Sequence, residues 1–180
     1  FYDNIGGFFE TAMTARHNLS FSGAAPDNRV NYRLAVSSSS QEGVVPNTTF
    51  GRINLTGASQ AQVTPWLRTD VTMAYSFSNN TQPWKGADGP LLGLLVWPQT
   101  DNAQEWRTAA GTRRRITLLA AASETDNPYF NVQKNLNESR NSRLVANIGL
   151  VLTPFTWGSL KTNIGVDGYT NELQVLRHPE

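Results

Sequence analysis

The chain has no cysteine among its 180 residues, which removes disulfide scaffolds, thiol nucleophiles and cysteine-ligated zinc together. It has two histidines, His17 and His178, at opposite ends and without carboxylates at metal-ligand spacing, so neither reads as a ligand. No apolar run approaches the roughly 18 residues that a membrane-crossing helix needs. The longest patch, Leu91 to Trp97, is short and interrupted by Gly93. A helical membrane protein is excluded on that ground. A membrane barrel is not, because its strands alternate and a hydropathy average hides them. Charge is scarce as well: 16% charged residues and a formal net charge of +1 provide no field suited to nucleic acid. Nucleophile-elbow, phosphate-loop and dinucleotide-binding patterns are missing, and no enzyme activity, metal or cofactor is expected. The sequence opens at Phe1 without an initiator Met or a leader pattern, as expected of a mature piece or an internal fragment.

What the chain does contain is period-two alternation, in six segments. His17, Leu19 and Phe21 alternate with Asn18, Ser20 and Ser22. Val30, Tyr32, Leu34 and Val36 alternate with Asn31, Arg33, Ala35 and Ser37. Ile53 and Leu55 stand against Arg52, Asn54 and Thr56. Leu67, Val71, Met73, Tyr75 and Phe77 stand against Arg68, Asp70, Thr72, Ser76 and Ser78. Leu144, Ala146, Ile148, Leu150 and Leu152 oppose Arg143, Asn147 and Gly149. Leu160, Thr162, Ile164 and Val166 oppose Lys161, Asn163, Gly165 and Asp167. Several of these segments run about 10–12 residues, roughly twice the soluble norm, which suits a tilted crossing of a hydrocarbon layer. Connections alternate in size: 23–28, 60–65 and 154–156 are short, 41–49 is longer and 79–139 is very long. Bacterial barrels have tight turns on one side and long loops on the other. Trp66, Phe155 and Trp157 sit at short-turn strand ends, where amphipathic rings favour the headgroup region.

The 79–139 stretch is too long to be featureless. Asp101 is a candidate N-cap for a short helix through about Ala110, and Arg113 to Ala122 is a candidate second helix. Pro83, Pro90, Pro98 and Pro128 punctuate it. Its aromatics Trp84, Trp97, Trp106, Tyr129 and Phe130 are candidate ligand platforms for sugar rings or peptide side chains, or else the loop's own core. Its carboxylates Asp88, Asp101, Glu105, Glu124, Asp126 and Glu138 match no calcium-loop spacing. The run Arg113-Arg114-Arg115 is a solvated helix face or an anion site.

One set of stretches stands in a fixed order: Phe1-Tyr2-Asp3-Asn4 with Phe8-Phe9, His17 to Gly23, Asn31-Tyr32-Arg33 and Gln41 to Asn47. It continues through Gly51 to Leu55, Trp66-Leu67, Tyr75 to Ser78, Asn127 to Phe130, Asn141 to Leu144 and Gly165 to Tyr169. Taken together, this set resembles the barrel of a known family, the SusC/RagA transporters. It covers nearly the whole chain, although Arg113 to Ser123 matches no family pattern and neither plug nor TonB box stands in these residues. The resemblance implies a plugged bacterial outer-membrane barrel of about 22 strands. Such a TonB-dependent receptor takes up glycans or peptides as nutrients, drives transport through TonB, and is lidded by a SusD-like surface lipoprotein.

Residues 1–180 are therefore expected to be part of one TonB-dependent receptor β-barrel, with 79–139 its extracellular loop. The fold class is all-β: an antiparallel transmembrane β-barrel segment of about six strands, with short helices in the long loop. Apolar faces would meet outer-membrane lipid, and Arg33, Arg52, Arg68, Asp70, Lys161 and Asp167 would face lumen or plug. Six strands leave open edges whose backbone needs partners, from further chain or from other copies as a homo-oligomer. The rival readings are a soluble β-sandwich that binds carbohydrate, a filament-forming protein paired through its edges and, more distantly, a glycosidase.

Overall fold

A computed structural model of the protein describes residues 1–118 and 123–179. Six strands form one antiparallel sheet in chain order. They are β1 Thr14–Ala24, β2 Val30–Glu42, β3 Thr49–Thr64 and β4 Leu67–Pro83, then β7 Leu136–Phe155 and β8 Gly158–Leu176. Each alternating segment of the sequence lies within one of these strands, so the all-β antiparallel expectation holds. The sheet is open, with β1 and β8 at its two edges. The strands run from 11 residues in β1 to 20 in β7, longer than the alternation alone suggests. The reason is that pairing continues past the apolar stretch, through polar pairs such as Asn79 with Arg140 and Thr81 with Glu138.

All short turns lie at one end. Pro65 and Trp66 join β3 to β4, and Thr156 and Trp157 join β7 to β8. The β1–β2 turn closes through Ala25 N–H to the Val30 carbonyl at 2.8 Å, with Asn28 at φ 54°, a left-handed conformation that Asn tolerates. Phe155 stacks on Trp157 with ring centroids 5.1 Å apart.

The other end carries a small compact body, the cap. It is built from residues 1–10, the β2–β3 connection and the excursion between β4 and β7. The excursion holds a 3-10 turn at Gly86–Asp88, helix α1 Pro90–Val96, the two-stranded ribbon β5 Arg115–Leu118 with β6 Ser123–Asp126, and helix α2 Pro128–Lys134. Short helices are thus present, but not where Asp101 and Arg113 point. At 101–106 the Asn102 side chain accepts from the Gln104 N–H at 3.1 Å, a local turn that competes with helix. From Arg115 to Leu118 the chain is strand rather than helix, while 119–122 lie outside the described residues. Both real helices begin with proline, whose missing N–H costs nothing at a first turn. In α2 the preceding Asn127 caps, its Oδ1 accepting from Tyr129 N–H at 2.8 Å and Phe130 N–H at 3.4 Å.

The chain's buried core lies in this cap, not on the sheet. Phe8, Leu94, Trp97, Ala103, Phe130 and Val132 are all buried there. Asn4 joins the N-terminal segment to the excursion: its Nδ2 donates to the Pro98 and Asp101 carbonyls, and its Oδ1 accepts from Ala103 N–H at 3.0 Å. Asn47 Nδ2 donates to the Val132 carbonyl at 3.0 Å, tying in the β2–β3 connection.

Candidate functional site

The sheet has two unlike faces, and strand register sorts every side chain onto one of them. On the apolar face, Phe21, Leu34, Gly57, Met73, Ala146 and Val166 stand side by side across all six strands. The next row toward the short turns is Gly23, Tyr32, Ser59, Val71, Ile148 and Ile164. From Leu67 to Phe77 this band runs roughly 33 Å along β4, at about 3.3 Å per residue. Beyond the Phe77 row the same face turns polar, with Ser40, Gly51, Asn79, Arg140 and Glu172. On β8 the hydrophobic residues change face at that height, so that Tyr169, Leu173 and Val175 carry the polar face's parity. Among the described residues nothing covers the apolar band: Met73 is 51% exposed and Ile164 68%.

The opposite face is hydrophilic along most of its length. One row reads Ser20, Ala35, Thr56, Ala74, Val145 and Asp167; another reads Asn18, Ser37, Asn54, Ser76, Arg143 and Tyr169. Arg33, Arg52, Arg68, Asp70, Lys161 and Asp167 all share this face, joined by Arg16 and Arg143. The sequence reading did not single out these last two as site residues, although extending the alternation of β1 to Arg16 would have found one. Six cations thus oppose two carboxylates on this face. Arg143 forms a two-pronged pair with Asp167, and Arg68 Nε lies 3.7 Å from Asp70, which also accepts from Gln60 Nε2 at 2.9 Å. Arg16, Arg33, Arg52 and Lys161 have no carboxylate partner among the described residues.

The five cap aromatics are not assembled into one platform. Trp97 and Phe130 are 4% and 1% exposed, so core packing rather than a ligand takes their faces. Phe130 packs against Trp106 at 5.7 Å and against the His178 ring at 5.7 Å. Tyr129 meets Phe8 edge-on, and its hydroxyl donates to the Gly7 carbonyl at 3.0 Å. Trp84 and Trp106 remain half-buried, covered by the guanidinium groups of Arg177 at 5.3 Å and Arg107 at 4.3 Å.

The arginine run is neither a helix face nor an open anion site. Arg113 pairs with Asp126 at 3.1 Å, Arg114 with Asp101, and Arg115 with both Glu124 at 2.9 Å and Asp126 at 3.1 Å. Burial lifts the Asp126 carboxyl above its ordinary value, against the downward pull of Arg115. Asp101, Glu124 and Asp126 therefore close the cap on itself.

No protein-family model matches the chain, and no curated protein does. Solved structures do. A structure of the RagAB peptide transporter matches 94% of this chain at 19% identity, with a TM-score of 0.68. The RagAB peptide importer in its closed-closed state matches 99% at 21% identity, with a TM-score of 0.71. The chain spans about a fifth of those chains, 19% and 20% of their lengths. At that identity the likeness establishes the fold: this sheet and cap recur within a much longer peptide-transporter chain.

Proposed function

We propose that this chain is a stretch of barrel wall from a TonB-dependent outer-membrane importer of the SusC/RagA kind. Its apolar band meets lipid, its polar face lines a wet lumen or contacts a plug, and its cap lies outside the cell, where a SusD-like lipoprotein docks. The observation that carries this is the apolar band itself. At the roughly 40° tilt of outer-membrane strands, its run of about 33 Å would cover about 25 Å of height, the size of the lipid-facing belt of such barrels. It also ends where the polarity of the face reverses, and all short turns lie beyond its other end. The solved relatives' description as a peptide transporter favours peptides over glycans as cargo. A β-sandwich would bury the same band under a second sheet, and none lies over it among the described residues.

Cysteine labelling tests the reading: these 180 residues hold no cysteine, and any elsewhere in the complete protein is first replaced by serine. In outer membranes containing the complete protein, Thr72→Cys and Asn147→Cys should react with a water-borne maleimide. Met73→Cys and Ile148→Cys should react only with a membrane-dissolved one. Equal labelling of both faces, or recovery of the protein in the soluble fraction without detergent, would sink the proposal.

A further inference from the structure

We draw no further inference here: the strongest candidate, the outward face of helix α1 in the cap, where Leu91, Leu92 and Leu95 are exposed on the side away from the buried Leu94, is an unpartnered apolar face, and nothing in the structure shows what covers it.

Discussion

The sheet and the cap are organised by opposite rules. Across the sheet, neighbours in space are set by strand order, each strand pairs with the next described strand of the sheet, and no large side chain is buried. Its apolar band is uncovered among the described residues. In the cap, contacts join segments far apart in sequence: Asn4 binds backbone at Pro98, Asp101 and Ala103, and Phe8 packs with Leu94 and Val132. The cap therefore carries its own core, while the sheet has none among the described residues. Charge is distributed differently too. Arg113, Arg114 and Arg115 are each paired with cap carboxylates, whereas on the sheet Arg68 and Arg143 are paired and Arg16, Arg33, Arg52 and Lys161 have no carboxylate partner among the described residues.

Truncation should expose this difference most strongly. Phe8→Ala empties a fully buried site, at a cost of about 3–5 kcal/mol, whereas Leu150→Ala on the apolar band should cost only about 1 kcal/mol because acyl chains fill the gap. Hydrogen exchange on the complete protein in bilayers checks both: Phe8→Ala should open residues 1–10 and 90–97 and leave the β4–β7 ladder protected. Equal losses at the two sites would erase the distinction.

Adding charge should act in the reverse sense, on the sheet alone. Ile148→Arg, near the middle of the band, should cost about 2–4 kcal/mol in folding into bilayers, while Asn147→Arg on the other face should be nearly neutral. Unfolding titrations of the two variants decide it, and a comparable penalty at Asn147 would mean that this face is not wet.

The smallest effect is expected at the rim of the cap. The Arg115–Glu124 pair is largely exposed, its side chains 36% and 59% accessible, so Glu124→Gln should cost no more than about 1 kcal/mol. A larger loss in thermal unfolding would mean that the ribbon of β5 and β6 holds the cap together.

The strands, their faces and the polar-face residues from Arg33 to Asp167 were legible in the sequence because side chains alternate along any strand, whatever surrounds it. That regularity is local, and the register preserved it across the whole sheet. The cap was not legible in the same way. Pro90 and Pro128 were read as punctuation when they are helix starts, and Asn127 was not read as a cap. Phe8 and Asn4 carried no local sign of burial, since their partners lie about ninety residues away or more in several contacts. Whether Trp97 and Phe130 are ligand platforms or core, and whether Arg113 is free or paired, depended on contacts between distant segments. Sequence alone determined the two-faced sheet, because period two is a property of the backbone. Only the tertiary structure decided which aromatics are buried and which arginines are paired, because burial and pairing depend on what the rest of the chain brings alongside.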